Sequence, residues 1–453
     1  MREEKREETV MTNEELQASS AAQAEKARFD TPEYRRSRTA YLLECAFEYF
    51  VSIFAGNAFL TSLLLYIGLD DSLIMLISSF ITLAFLFQLC SIFVVQRIAN
   101  VKRFVITFHM VSQFLFMSLY LIPFLIPGFA NRRLAVIVCM LVAYLFKYLV
   151  VSMLYKWCNS FVDPDKRASY SAWKEMVSLA SGIVLSLAVG YVMDAFTAAD
   201  NREGGFLFAA AGMLIFCIAD LVCLLLVSKD LPKTEAERQV IPFGTVLRET
   251  LGNRNFRHVI YLAVLWDVAR YFTIGSLGSY RLGELAFTVT AVTLIDNAGH
   301  LARLLISRPF GRYSDRRSYA KGIELALVLA ALALLFVVLS TPATRYLIIG
   351  YSVMYSCCFA GINQNMQNVV YSYVDSRYFV QASAIKNSIS GICGFGAAFL
   401  GSRILSRVQA AGNTVLGVTV YGQQILAAVS MLLLLFALLY THFVIGKQHV
   451  MKQ

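Results

Sequence analysis

The sequence predicts an all-α integral membrane protein with twelve transmembrane helices in two related six-helix bundles. Three observations predict this fold class. The 453 residues are 58% hydrophobic and only 15% charged, with a mean hydropathy of +0.60, far above that of a soluble globular domain. Apolar stretches of about 20 residues, the length that crosses a bilayer, recur along the chain. One long polar segment, 229–256, separates six stretches from six.

The elements follow in chain order. Residues 1–38 are polar and lack the apolar region of a secretory signal, so we expect a cytoplasmic N-terminal tail. The predicted spans, numbered one to twelve, are 40–66, 72–96, 104–127, 133–157, 169–195, 205–228, 257–281, 285–307, 322–340, 345–371, 379–406 and 417–446. The N-terminal bundle is therefore predicted at 39–228, a cytoplasmic linker at 229–256, the C-terminal bundle at 257–446 and a cytoplasmic tail at 447–453.

The distribution of basic residues predicts the orientation. Lys and Arg number 40 against 30 Asp and Glu, a net charge of +10. The excess lies at alternate span ends, as at Arg97, Lys102 and Arg312, whereas the other ends hold few basic residues, among them Arg281. Since basic loops stay in the cytoplasm, we expect both termini to be cytoplasmic in a multi-pass protein of the cell membrane. The charge therefore reflects topology and does not indicate nucleic-acid binding.

An internal repeat relates the two bundles. Residues 160–182 align with 372–394 without a gap and share eight identities in 23 positions, where chance gives about two. Among them Lys174 matches Lys386. Both copies start at the cytoplasmic side and run outward, as spans five and eleven. The two halves therefore share one orientation, as in transporters whose halves rock about a central site.

A loop signature identifies a family resemblance. Between spans eight and nine the sequence reads Gly311, Arg312, Tyr313, Ser314, Asp315, Arg316, Arg317, with Lys321 following. This closely resembles the cytoplasmic loop signature of the major facilitator superfamily. The equivalent loop of the first half has Gln96 for the Gly and Asn100 for the Asp. The resemblance covers everything after about residue 40 and implies the major facilitator fold, in which spans one, four, seven and ten line the cavity.

The resemblance also implies a cytoplasmic gate. In this fold the loop of Gly311, Asp315 and Arg316 faces the inner end of span five, where Lys174 and the positive end of a helix attract a carboxylate. By pseudo-symmetry, Lys386 is expected to face the loop at Asn100. The alternative is that these residues are ordinary topology charges.

Several ionisable residues lie where lipid is expected. A charged side chain deep in the membrane costs at least about 2.5 kcal/mol on insertion scales, so each needs a partner, a water-filled cavity or a function. Lys147 in span four, Asp267 and Arg270 in span seven and Asp296 in span eight come near the midplane, with Glu48 of span one slightly inward. Most of these residues belong to helices that line the cavity in the family's arrangement.

The carboxylates are candidates for proton coupling. Glu44 and Glu48 are four residues apart and share a helix face, where repulsion and desolvation favour a bound proton. Glu44 can alternatively be a solvated edge residue, and Lys147 can simply neutralise Glu48. Asp267 can pair with Arg270, and Arg270 can either bind a substrate carboxylate in a forked geometry or only hold Asp267 and Asp296 in place.

Amides and aromatic residues complete the predicted substrate site. Span ten carries Asn363 and Gln364 among other amides, which donate and accept hydrogen bonds and so suit hydroxyl-rich or zwitterionic solutes. Tyr144 and Trp266 can provide platforms for a sugar ring, although packing is the alternative for any single aromatic residue. His109 and Asp220 lie on helices expected at the periphery and are left out of the predicted site.

The predicted function is secondary active transport, not enzyme catalysis. No phosphate-binding Gly-rich loop is visible, so energy is expected from an ion gradient, and no cofactor or metal is expected. We predict proton-coupled symport of a small polar solute such as a sugar, sugar acid or other organic acid, by a monomer that uses alternating access. Proton-coupled export of drugs or metabolites is the alternative, and a membrane-embedded enzyme or a lipid scramblase is the second class considered.

Overall fold

The computed structural model describes residues 29–98, 100–163, 167–228, 243–374, 379–415 and 418–447. Most of the predicted N-terminal tail, residues 229–242 of the predicted linker and almost all of the C-terminal tail lie outside this part. The described chain is nearly all helical, and its one sheet is a short antiparallel pair of strands, Thr414–Val415 and Val418–Thr419.

The first half contains spans one to six. Span one consists of Pro32–Phe54 and Asn57–Ile67, span two of Asp71–Ser78 and Phe80–Arg97, span three of Val101–Ser118 and the short continuation Leu119–Leu125, span four of Phe129–Asn159, span five of Arg167–Ala198 and span six of Arg202–Leu226. Side-chain caps fix several starts because they satisfy free N–H groups of the first turn. Thr31 accepts from the Tyr34 N–H, and Asn201 accepts from the Gly204 N–H.

The second half contains spans seven to twelve. A helix at Phe243–Gly252 lies in the predicted linker, and span seven follows as Arg254–Tyr271 with irregular helical turns from Ile274 to Glu284. The remaining spans are Val289–Arg316, Tyr319–Leu339, Leu347–Tyr373, Phe379–Ala410 and Gly422–Phe443. Span seven thus continues past its predicted end at residue 281.

Ten helical segments of the described chain are long and apolar enough to cross a membrane. Spans eight and ten have 28 and 27 residues, which is also long enough at about 1.5 Å per residue. Polar residues lower the mean hydropathy of spans eight and ten, so composition alone would not indicate that they cross a membrane. The outer surface of the helices is apolar, with Val184, Tyr191 and Leu305 at least 70% exposed, as expected of a surface that faces lipid.

Each half has its own apolar core. In the first half, the core centres on Phe54, Phe116 and Phe206, and in the second on Phe256, Leu327 and Val369. A third, smaller cluster joins the halves and consists of Met75, Phe272, Ala397, Leu405 and Leu426. The two bundles are therefore packed separately and meet through a limited surface.

The halves meet mainly at one face of the molecule. We call the face where span one begins and span twelve ends the terminal face, and the other the opposite face. At the opposite face, the Gln409 and Gln423 amides donate to Asp71 Oδ2 over 2.7 and 3.3 Å. Also there, Asp194 accepts from the Val289 and Thr290 N–H groups at the start of span eight. A carboxylate at a helix N-terminus is favourable because it meets free N–H groups and the positive end of the dipole.

The contacts thin out toward the terminal face. Within the described part, one ion pair joins the halves there, between Arg303 Nη2 and Glu175 Oε1 at 3.7 Å, and the Glu175 side chain is 60% exposed. Other polar contacts near that face, such as that of Asn253 with the Tyr373 carbonyl, lie within one half. The described polar contacts between the halves are therefore more numerous at the opposite face, although spans two and eleven also meet where the Ser388 hydroxyl donates to the Phe85 carbonyl. We call the space between the bundles the cleft.

The close packing of spans two and eleven predicts a position-specific mutational effect. A Cβ on Gly391 would lie 2.5 Å from the Thr82 carbonyl oxygen, whereas a Cβ on Gly396 of the same helix has no neighbour within 4 Å. We expect Gly391→Val to lower the free energy of unfolding by about 1–3 kcal/mol through overpacking. Gly396→Val is the matched control and is expected to change it far less. Denaturation followed by tryptophan fluorescence measures both, and equal losses would contradict the close contact.

Candidate functional site

A half-buried ion pair occupies the middle of the first half. Lys147 Nζ lies 2.9 Å from Glu48 Oε1, and the side chains are 21% and 23% exposed. Glu48 is near the centre of span one and Lys147 near the centre of span four, as predicted from the sequence. The structure therefore brings these two residues together. Because neither side chain is fully enclosed, Lys147 can exchange its carboxylate partner for another anion.

Arg270 lies near the middle of span seven in the second half. Its guanidinium lies 4.9 Å from the ring centroid of Tyr271 and 4.8 Å from that of Phe359. Its Nε is buried and has no hydrogen-bond acceptor among the residues that the structure describes. The predicted pairing with Asp267 is not formed, since Asp267 acts on Arg270 only as a more distant charge. Arg270 is thus a cation held between aromatic rings, with free donors.

Two tyrosines of span four lie near the charged groups of both halves. Tyr148 of span four lies within electrostatic range of Glu48 in its own half and of Arg270 and Tyr271 in the other. Tyr144, one turn away, is also within range of Tyr271. The predicted site residues Glu48, Lys147, Tyr144 and Arg270 therefore face one region between the halves. We call this region the central site.

Asp267 and Lys386 face each other inside the second half. Asp267 packs against span eleven, where a Cβ on Gly394 would lie 3.5 Å from its own Cβ, and Ser390 of that span lies nearby, with its hydroxyl donating to the Asn387 carbonyl. Lys386 is only 6% exposed, and Asp267 is the charge that acts on it. The expectation that Lys386 faces the Asn100 loop is wrong in this conformer. Asn100 instead accepts from the Arg103 N–H and caps span three.

Asp296 has a partner that the sequence did not indicate. Arg281 Nη1 lies 2.5 Å from Asp296 Oδ1, and the Arg281 side chain is 10% exposed. Asp296 is the eighth residue of the 28-residue span eight, about midway between the start of that helix and its centre. Its predicted place in the substrate site beside Arg270 stays a prediction, since in this structure its carboxylate is paired with Arg281. The ion pair ties the end of span seven to the start of span eight.

The predicted aromatic and amide ligands separate into packed and accessible groups. Trp266 is 6% exposed and stacks on Tyr355 with 6.4 Å between ring centroids, so it belongs to the core. Asn363 is exposed on span ten, one turn from Phe359, which contacts Arg270. The Gln364 side chain lies outside the described residues. Of the two predicted ligands whose side chains the structure describes, Asn363 is exposed and Trp266 is buried.

The predicted gate residues are apart in this conformer. Asp315 and Arg316 are exposed at the end of span eight, and Gly311 is partly buried one turn earlier. Lys174 donates to the Tyr41 hydroxyl over 2.9 Å and lies 4.4 Å from that ring centroid. No ion pair between Asp315 and Lys174 occurs within the described part of the chain. The separation is consistent with a cleft open at the terminal face.

The sequence reasoning missed a buried polar cluster in the first half. His109 Nε2 lies 2.8 Å from Asp220 Oδ2, and their side chains are 3% and 0% exposed. Glu44, with no exposed surface, brings a carboxylate oxygen into the same cluster, in which one polar atom of each residue lies within 4.8 Å of the others. We call Glu44, His109 and Asp220 the buried triad. One signal was available, because an ionisable residue on an otherwise apolar span needs a partner.

Comparison with known proteins places this geometry in a family. No curated protein matches the sequence. Among solved structures, the nucleoside transporter NupG superposes with a TM-score of 0.63 at 14% identity, covering 91% of this chain and all of that one. A transporter of the POT family in complex with 5-aminolevulinic acid gives 0.62 at 15%, covering 90% and 96%. A bacterial homologue of the lysosomal transporter Spinster gives 0.64 at 12%, covering 91% and 97%.

At these identities the structures establish only a common fold. The family assignment comes from the sequence, which matches the Major Facilitator Superfamily over residues 45–398. The predicted membrane fold and the family resemblance are therefore confirmed, and the family points to transport rather than enzyme catalysis. This chain belongs to the major facilitator superfamily.

Proposed function

We propose that this protein is a proton-coupled symporter of a small polar solute that carries a carboxylate, such as a sugar acid or another organic acid. The observation that carries the proposal is Arg270, a cation near the midplane that forms no ion pair, and whose buried Nε has no acceptor, within the described part of the chain. An uncompensated cation at membrane depth is costly. A substrate carboxylate that accepts two parallel hydrogen bonds would supply the missing partner.

The central site offers a second cation from the other half. Lys147 is paired with Glu48 at 2.9 Å in this conformer. If a proton neutralises Glu48, Lys147 becomes free to bind the substrate anion. Proton binding and substrate binding then favour one another, which is the requirement for symport. Asp267, enclosed beside Ser390 and Lys386, is the second proposed proton-accepting carboxylate.

The pattern of contacts between the halves supports alternating access. With the predicted topology, the terminal face is cytoplasmic, and we propose that the cleft of this conformer opens toward the cytoplasm. We propose that closing this face brings Asp315 to Lys174 while the Asp71 and Asp194 contacts at the opposite face break. The cleft lies within one chain, so we propose a monomer in the cell membrane with both termini cytoplasmic.

The test is uptake by proteoliposomes that contain the full chain, under imposed pH and sodium gradients. The panel pairs organic acids and sugar acids with their amides, and adds neutral sugars, nucleosides and dipeptides. We expect a pH gradient, acid outside, to drive accumulation of an acid at least tenfold more than that of its matched amide. Accumulation that responds only to sodium, or that is equal for acid and amide, would contradict the proposal. Uptake driven by the reversed gradient would favour the export alternative.

A further inference from the structure

The buried triad is a charge cluster that the transport site does not explain. Glu44, His109 and Asp220 lie on spans one, three and six, and all are at most 3% exposed. Glu44 Oε1 and Asp220 Oδ1 are buried without a hydrogen-bond donor in the part of the chain that the structure describes. Two enclosed carboxylate oxygens without donors cost several kilocalories per mole unless something positive satisfies them.

The charges around the triad are unbalanced by one unit. The charged side chains that act on a member of the triad are Glu48 of span one and Lys147 of span four. Lys174 of span five acts on Glu48, whereas Lys102 of span three acts on Cys158 beyond the triad. The other titratable groups nearby are neutral at pH 7 by type, namely Tyr41, Cys45, Cys158, Cys217 and Cys223. Three carboxylates and two lysines leave a net charge of minus one. One proton on His109 removes it.

The geometry fits a proton better than a metal ion. Zinc bonds of about 2.0–2.2 Å in a tetrahedral site hold neighbouring ligand atoms about 3.3 Å apart. His109 Nε2 and Asp220 Oδ2 are 2.8 Å apart, which is a hydrogen-bond distance. The Gln113 Nε2 nitrogen lies 3.3 Å from the same ring nitrogen, so a proton on His109 Nε2 that points at Asp220 requires the Gln113 amide to turn its oxygen toward the ring. The cluster is also enclosed on all sides.

Glu44 connects the triad to the central site. It is one helical turn from Glu48, so the two carboxylates lie on the same face of span one. The chain of groups therefore runs from Asp220 and His109 through Glu44 to Glu48, which pairs with Lys147. Of these groups, only Glu48 and Lys147 have appreciable exposure to the cleft.

We propose that Glu44, His109 and Asp220 form a proton-binding site that supplies the coupling proton to Glu48, an inference that rests on the proposed function. The proton leaves a ring nitrogen of His109, passes to the Glu44 carboxylate and then to that of Glu48, and no other bond changes. Neutral Glu48 releases Lys147 to the substrate anion. A second proton, which enters from the cleft through Glu48 and Glu44, then restores charged His109 while Glu48 stays protonated. With substrate bound, the first half therefore holds one more proton than when it is empty, and this proton balances the negative charge of the substrate.

The site is tested first without any substrate. The chain has five histidines, so ring-¹⁵N-histidine labelling of the full chain in nanodiscs gives few signals, and His109→Gln assigns the relevant one. At pH 7 we expect one signal from a doubly protonated imidazole, and this signal should be absent in His109→Gln. In Asp220→Asn, the ratio of protonated to neutral His109 should fall at least tenfold. His258→Gln is the matched control and should leave the signal unchanged, because His258 and the Tyr440 that it contacts both lie in the second half.

Transport then separates this inference from the proposed function. For an acid that the pH gradient drives in wild type, His109→Gln should lose concentrative uptake at least tenfold yet keep counterflow within about twofold. If wild type is driven by pH and His109→Gln is driven equally, the inference fails and the proposed function stands. If no solute responds to pH, the coupling proposal fails, and the nitrogen spectra alone decide whether the triad binds a proton. A neutral His109 throughout pH 5–8, or one stoichiometric metal ion lost in His109→Gln, would overturn the inference.

Discussion

Arg270→Gln is expected to lower transport of an acidic solute at subsaturating concentration by at least 100-fold. Arg270 has no ion-pair partner in the described structure, and its Nε lacks an acceptor, so its donors are available to a substrate carboxylate. Each charge-assisted hydrogen bond contributes about 1.5–3 kcal/mol. Losing a two-bond fork of about 3–4 kcal/mol corresponds to a factor of 100 or more. Arg270→Lys keeps the charge but not the fork, and we expect a loss of about tenfold.

A second arginine provides the control for this effect. Arg403 lies 5.2 Å from the Phe399 ring centroid and is exposed on span eleven, so it shares the stacking of Arg270 but not its position. Arg403→Gln should leave uptake within about twofold of wild type. Initial rates of uptake of the acid and of its amide measure both variants. If Arg270→Gln lowers the uptake rates of the acid and of its amide equally, the guanidinium does not bind the substrate carboxylate.

The fold was predictable because its main signal is local. Hydropathy along the chain depends only on neighbouring residues, and span eleven, predicted at 379–406, is observed at Phe379–Ala410. The Glu48 and Lys147 pair was one of two possibilities that the sequence left open, since two opposite charges on cavity helices can either pair or bind substrate. Their similar depth along the two helices made the pair possible, and the structure shows that it forms.

The missed features depend on information that local patterns lack. Arg281 was predicted as the last residue of span seven and counted among the few basic residues at the opposite span ends, but irregular turns continue to Glu284 and bring its side chain to Asp296. His109 and Asp220 are 111 residues apart, and their contact depends on which faces of spans three and six meet. Trp266 is a core residue for the same reason, because sequence gives its depth but not whether its helix face points to the cleft.

Glu48→Gln is expected to abolish proton-driven accumulation while exchange of substrate continues. An amide cannot take up the proton that releases Lys147, so concentrative uptake should fall at least tenfold and counterflow should stay within about threefold of wild type. Proteoliposome uptake with and without the pH gradient measures the two activities. Equal loss of both would mean that Glu48 binds substrate or only holds the helices together.

The Glu48 and Lys147 pair also predicts non-additive stability. Lys147→Gln leaves a half-buried carboxylate without its partner, and we expect a loss of about 3 kcal/mol in the free energy of unfolding. The double variant Glu48→Gln with Lys147→Gln removes both charges and should recover most of that loss. The control is the Arg35 and Asp30 pair, with 3.9 Å between charged atoms and side chains that are 68% and 71% exposed; neutralising both residues there should change stability by less than about 1 kcal/mol. Additive losses at Glu48 and Lys147 would show that the pair is not coupled. Binding of substrate by Lys147 would then not depend on protonation of Glu48.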